Sequence, residues 1–354
     1  MSSGKKRRYL APSATPWDGA PESALGPAER IVRACHADMY RYRHAPADLE
    51  GEAEFFNGYT RESCPRCGSP DIKRSGRDAN GLQRWLCKAC GRTFNPTTGT
   101  IFENHRLPVA DWTEFLLDVF SFNSVNSMTR ENRRSDTTLP FWMAKTFAVL
   151  EGIQGGTVLS GRVQIDEKYY PVSASEMILN PDGSRLRGFS RSHLCIALGV
   201  QEKGPCFAEG AGRGKPSNAR ALQAYAPHIA PGSTLVHDKE RSHAAVVAKL
   251  GLSEERYNAS EIKRLPDKDN PLREVNRLCF LLETFLNSHS GFDRGDLQGY
   301  LNLFAVMMNP PDTKMEKAAL VLDRAMRCTK TLQYREFYAP KQGKSNTDGA
   351  KSSS

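Results

Sequence analysis

No stretch of this sequence approaches about 18 consecutive apolar residues, so a membrane-spanning helix is not expected. The N-terminal MSSGKKRRYLAPSATPWDGAPES is basic, but no apolar run follows it, so it does not read as a secretory signal. It reads as a flexible arm, with a phosphate-contacting arm as the alternative. Internal repeats are lacking. So is a disulfide framework: the nine cysteines are an odd number, with four in two close pairs and Cys35, Cys195, Cys206, Cys279 and Cys328 scattered. That grouping suits a reducing compartment and a metal site, and the expected location is cytoplasmic and nucleoid-associated.

What is present is ordinary in bulk and biased in charge. Hydrophobic residues make up 39% and charged residues 25% of 354, enough for two or three domains with cores of their own. Lysine and arginine (49) exceed aspartate and glutamate (40), giving a formal net charge of +9. Such a surplus favours a polyanionic partner through counterion release.

Composition shifts divide the chain. Residues 1–27 form a Pro/Ser/Ala/Gly-rich leader, and 28–60 a helical N-terminal segment. Residues 61–100 are polar and punctuated by cysteine. Residues 101–155 are helical, with WTEFLLDVFSF and FWMAKTFAVLEGI flanking the polar ENRRSDTT, a pattern that suggests a helix-turn-helix-like unit. From 156 to 312 the order is strand (161–170, 194–200, 204–209), helix (SNARALQAYAPHI), strand (STLVHD), then helices at SHAAVVAKL, 272–287 and 296–308. That is the order of a ribonuclease-H-like α/β domain. The expected fold class is therefore α/β, a ribonuclease-H-like catalytic domain preceded by a zinc ribbon and a small helical domain. Residues 313–354 form a C-terminal extension whose tail, KQGKSNTDGAKSSS, lacks apolar residues and is expected to be disordered.

Cys64-Pro-Arg-Cys67-Gly68 and Cys87-Lys-Ala-Cys90-Gly91 are two CxxCG knuckles. Each tight turn lets two thiolates meet one ion, and four thiolates close a tetrahedral shell, the arrangement of structural Zn2+. The segment between them reads as a hairpin turning at Asn80-Gly81. Lys73, Arg74, Arg77, Arg84, Lys88 and Arg92 crowd this small module and point to phosphate contact, with a solvated face as the alternative. In the helical segment, Asn126, Arg130, Asn132, Arg133 and Arg134 suit groove or phosphate contacts, while Trp112, Phe115, Leu116, Val119 and Phe120 suit a core.

Asp166 and Glu167 follow the strand-like RVQI, and Asp238 follows STLV. Adjacent strands would bring Asp166 and Asp238 together, and divalent cations between them would relieve their repulsion. The pair would then serve two-metal phosphoryl chemistry. Turn capping by both aspartates is the other reading. His237 and His243 flank Asp238, as packing or capping groups or as positioners of metal or phosphate.

The stretch His237-Asp238-Lys239-Glu240-Arg241-Ser242-His243, then Asn270-Pro271-Leu272, Val275-Asn276-Arg277 and Phe285-Leu286, resembles bacterial insertion-sequence transposases of the DDE class. So do His289-Ser290-Gly291-Phe292, Asp296 through Asn302 and Phe304, and Asp166-Glu167 with Arg187-Gly188-Phe189-Ser190. The subgroup carries an N-terminal zinc ribbon and often an asparagine as third catalytic residue. The resemblance spans residues 60–310 and is most specific over 266–304. It implies a DNA transposase that binds inverted-repeat ends, cleaves DNA with Mg2+ or Mn2+ held by Asp166 and Asp238, and joins the freed 3′-hydroxyl to target DNA. Two ends must be held together, so it also implies a homodimer or larger assembly. The family's third position falls on Asn276. Where the family has a lysine seven residues later, this chain has Glu283, and where histidine is expected it has Cys279. Glu283 either replaces Asn276 as third ligand or marks a lost phosphate contact. An inactive DNA-binding copy and a nuclease that cuts without joining are the rivals. Lys239, Lys263, Arg264 and Arg273 are further candidates to follow the DNA backbone.

Overall fold

The computed structural model describes residues 19–43, 49–105, 108–131, 135, 137–184, 186, 188, 190–262 and 264–338. Helices α1 (Pro27–Arg43) and α2 (Leu49–Asn57) come first, as the alternation of charged and apolar residues over this stretch suggests. A three-stranded antiparallel sheet follows: β1 (Ile72–Arg77), β2 (Gln83–Cys87) and β3 (Thr93–Phe94). Its hairpin turns at Asn80-Gly81. Gly81 takes φ +80, a left-handed value that favours glycine. Asp78 Oδ1 accepts from the amides of Asn80 and Leu82 across the turn. Trp85 stacks on Phe94 beside Cys64 and Cys87, so this small unit has its own core. The Asn57 side chain clips α2 to the hairpin through Gly81 O and Gln83 N.

Helices α3 (Val109–Val119), α4 (Val125–Glu131) and α5 (Thr138–Leu150) succeed the ribbon. Trp112, Phe115, Leu116, Val119 and Phe120 are all buried, and Trp112 stacks on Trp142 with centroids 4.5 Å apart.

The second half supplies β4 (Arg162–Pro171), β5 (His193–Gln201), β6 (Cys206–Arg213), α6 (Asn218–Tyr225), β7 (Thr234–His237), α7 (His243–Leu250) and β8 (Ser253–Arg256). Five more helices follow: α8 (Ala259–Ile262), α9 (Arg273–Ser288), α10 (Leu297–Met308), α11 (Lys314–Arg327) and α12 (Tyr334–Phe337). The sheet order is β6-β5-β4-β7-β8, with β4, β5 and β6 antiparallel and β7 and β8 joined parallel to β4. This is the ribonuclease-H-like arrangement expected from the element order. The sequence pattern did not reveal β8. Its residues, Ser-Glu-Glu-Arg, are those of a charged edge strand, and such residues carry no apolar alternation to read.

Alternation along the strands splits the core into two. Val163, Ile165, Cys195 and Ala197 pack with Ala221, Tyr225 and Val246 of α6 and α7. Ile196, Leu198 and Val236 pack with α9 and α10 on the other face. That second core runs from Phe56 to Met326, so packing continues across the borders expected at 155 and 312. Gly299 permits α10 to approach α5 closely, since a Cβ there would sit 2.5 Å from the Phe147 ring. Helix α11 is started by a reciprocal cap between Thr313 and Glu316.

Candidate active site and metal centre

Successive side chains of β4 point to opposite faces, and that alternation organises the site. The even-numbered residues meet α9 along its length. Gln164 Oε1 accepts from the amides of Glu274 and Val275, two of the donors a helix start leaves without internal partners. Asp166 Oδ2 lies 4.0 Å from Cys279 Sγ. Lys168 Nζ donates to Glu283 at 2.6 Å, and Tyr170 Oη to the carbonyl of Leu286. The odd-numbered Glu167 faces the other way, toward Tyr225 and His243.

Strand β7 lies beside β4 with Gln164 opposite Val236. Two residues further, the same parallel register brings Asp166 beside Asp238. Asp238 follows the end of β7, but Asp166 lies in the middle of β4, past its last pair with β7 and still paired with β5, not after the strand as its sequence suggested. Each carboxylate has one oxygen held by a backbone amide: Asp166 Oδ1 by Glu167 N at 2.8 Å, and Asp238 Oδ1 by Glu240 N at 3.2 Å. Burial pushes the Asp166 carboxyl up to about 7, and the charges of Glu167 and Asp238 add to the shift. A carboxylate so disfavoured by burial and like charge, with a second one beside it, fits a hard divalent cation.

Of the third-position candidates, Asn276 is exposed one turn before Cys279, and Glu283 is half-exposed one turn after it. The three share one face of α9. Cys279 is the member that touches Asp166, and Glu283 is held by Lys168.

His237 and His243 are 1% and 0% exposed in their side chains. Their Nδ1 atoms are 3.0 Å apart, while His243 Nε2 meets Glu167 Oε1 at 2.8 Å and His237 Nε2 meets Glu254 Oε1 at 3.0 Å. Burial opposes charge on His243, yet Glu167 carries it above the ordinary histidine value. His237 is lowered by burial and by the charge of His243. With Asp238 the two histidines also gather metal-ligating atom types within 4.8 Å.

The four ribbon cysteines bring their sulfurs together, with Cys64–Cys90 at 3.8 Å and Cys67–Cys87 at 3.6 Å. Zn–S bonds of about 2.3 Å in a tetrahedron put sulfurs roughly 3.8 Å apart, so the residues fit zinc. Among the ribbon cations, Lys73, Arg74, Arg77 and Arg92 are exposed and Arg84 is partly so, whereas Lys88 is paired with Asp71 at 2.7 Å. Lys73 and Arg84 share the sheet face opposite the Trp85 core. Asn126, Arg130, Lys239, Arg264 and Arg273 are exposed. Asn132, Arg133, Arg134, Arg187, Phe189 and Lys263 lie outside the described residues.

Sequence reading missed Gln164, Lys168, Tyr225 and Glu254. The first two had a signal, since they flank Asp166 at the two-residue period of a strand. The other two had none, because their partners are set by tertiary register.

Comparison with known proteins agrees with the ribbon and the element context. The family described as the InsA N-terminal domain, a zinc ribbon, matches residues 62–91. An uncharacterized protein of transposable element ISH50 from Halobacterium salinarum is 32% identical over 125 residues. That match spans 35% of this chain and 40% of the relative's length. Among solved structures, a simian T-cell lymphotropic virus intasome in complex with PP2A regulatory subunit B56 gamma aligns at TM-score 0.28 and 11% identity, over 68% of this chain and 78% of that one. The Mos1 strand transfer complex aligns at TM-score 0.27 and 12% identity, over 62% and 76%. The ribbon is thus InsA-like, and the chain is similar over about a third of its length to a protein of a transposable element.

Proposed function

We propose that this protein is a DNA transposase acting on the inverted-repeat ends of an insertion sequence. The observation that carries the reading is the parallel β4–β7 pairing, whose register sets Asp166 in the middle of β4 beside Asp238 just past the end of β7, on a ribonuclease-H-like sheet. The ISH50 relative and the InsA-like ribbon support the same reading.

Asp166 and Asp238 would hold Mg2+ or Mn2+, with Asn276 or Glu283 of α9 as third member. Such a cation acidifies bound water and stabilises developing charge on the phosphate oxygens. The protein's own part is to keep the two carboxylates rigid and close. Gln164 and Lys168 fix α9 against β4 on either side of Asp166. Zinc held by Cys64, Cys67, Cys87 and Cys90 would keep the ribbon folded, and Lys73, Arg74 and Arg84 would meet phosphates there. Strand transfer between two ends implies a homodimer or larger assembly on DNA.

The test is a strand-transfer assay with labelled end DNA and Mg2+ or Mn2+. Joined product that disappears in Asp166→Ala supports the transposase. Cleavage without joining indicates a nuclease. Binding without either indicates an inactive copy, a reading to which the Lys168–Glu283 pairing lends weight, since it engages the third carboxylate.

A further inference from the structure

The four groups Glu167, His243, His237 and Glu254 form one continuous hydrogen-bonded chain through the buried side of the sheet. Its ends come from β4 and β8, and its middle from β7 and the first residue of α7. The hydrogens can be counted. His243 Nε2 donates to Glu167 and His237 Nε2 to Glu254, because ionised carboxylates only accept. One hydrogen must then lie between the two Nδ1 atoms, or two lone pairs would face each other at 3.0 Å. The backbone amide of Lys239 points at His237 Nδ1, 3.3 Å away, which marks that nitrogen as the acceptor. His243 Nδ1 is therefore the donor. This assigns an imidazolium at His243 and a neutral ring at His237, an assignment made from the network rather than from visible hydrogens.

The placement of this chain gives it a purpose. Glu167 is the residue after Asp166, and His237 is the residue before Asp238. The His237 ring also reaches past Asp238 to the amide of Lys239, whose φ of +73 is the left-handed value that turns the backbone there. Tyr225 Oη lies 2.8 Å from Glu167 Oε1 and 3.1 Å from the Asp166 carbonyl oxygen, bracing the other end.

We infer that Glu167–His243–His237–Glu254 is a positioning strut that fixes the separation of Asp166 and Asp238 from beneath, and that Glu167 and the two histidines are not metal ligands. The purpose, though not the bonding, rests on the active-site reading proposed above.

The test uses the full-length, zinc-loaded chain. Nitrogen-15 NMR of the histidine rings should show one buried ring protonated on both nitrogens and a second protonated on Nε2 alone. Each of these signals should vanish in His243→Gln or His237→Gln respectively, and neither should move when Mg2+ is added. Mn2+ affinity, read by electron paramagnetic resonance, should survive Glu167→Gln, whose amide oxygen still accepts from His243. It should fall roughly tenfold or more in Glu167→Ala, as for other groups that orient a metal site from outside it. Glu254→Ala, on the edge strand, should weaken Mn2+ in the same direction and covers the case in which Glu167→Ala does not fold. Zinc or manganese shifting the two ring spectra to metal-bound values would overturn the inference. So would Glu167→Gln losing as much affinity as Asp166→Asn, because Glu167 would then be a ligand. If Asp166→Asn leaves Mn2+ affinity unchanged, the proposed metal site fails, and the strut is still judged by the ring spectra.

Discussion

Lys168 of β4 donates to Glu283 of α9 at 2.6 Å, two residues along the strand from Asp166 and one helical turn beyond Cys279. This pair bolts the helix that carries the third-position candidates onto the strand that carries the first aspartate. Both ends are partly exposed, so the energy is modest. A double-mutant cycle with Lys168→Met and Glu283→Gln should give a coupling of about 0.5–1 kcal/mol in chemical denaturation. If Glu283 serves as third metal ligand instead, Glu283→Gln should weaken Mn2+ binding by an order of magnitude, and Lys168→Met should leave it nearly unchanged or stronger.

The raised Asp166 pKa makes stability depend on pH with a definite sign. In the unfolded chain this carboxyl titrates at its ordinary value of 3.8, and in the fold at about 7. The folded state therefore binds the proton more tightly. The stabilisation is complete below pH 4 and is lost as pH rises through 7. Asp166→Asn should thus gain stability over the parent at pH 8, on the order of 3 kcal/mol, and little at pH 4. Thermal unfolding of both proteins across that range, without added divalent cation, checks it. Equal differences at both ends would show that the carboxyl is not perturbed.

Divalent cations should reverse that penalty. With Mn2+ at about 100 times its dissociation constant, the parent should gain roughly 2.7 kcal/mol, and Asp166→Asn with Asp238→Asn should gain almost nothing. The parent's gain should shrink as pH drops below about 7, where protons compete for Asp166.

The ribbon makes a separate prediction. One zinc per chain should be released on unfolding, and Cys64→Ser should lower that content sharply. Hydrogen exchange over residues 61–97 should then accelerate, while β4 and β5 keep their protection, because the Trp85–Phe94 core is distinct from the larger one. Exchange that rises equally in both regions would contradict that independence.

What could be read from residue order was what rests on local patterns. The knuckle spacing gave the ribbon, and Val-Gln-Ile before Asp166 and Leu-Val-His before Asp238 marked two strands; β7 does stop before Asp238, whereas β4 runs on through Asp166 to Pro171 in its pairing with β5. Helix periodicity placed α9 and α10 within a residue or two of their bounds. What escaped depends on register between distant segments. Edge strand β8 is polar throughout, so Glu254 could not be connected to His237 before the strands were paired. Likewise, Glu283 reads as an isolated departure in sequence because its partner, Lys168, lies 115 residues away.

The seating of α9 on β4 also bears on when the site comes into being. Its fastenings join residues 110 to 116 apart: Gln164 to Glu274 and Val275, Lys168 to Glu283, and Tyr170 to Leu286. Contacts of such span must close a long loop before they reward the chain, and they form late in folding. The strands bearing Asp166 and Asp238 lie closer in sequence and can pair before that helix docks. A chain caught at that stage would own two acids and no third-position candidate, so on the proposed function competence to cut would wait for α9 to dock.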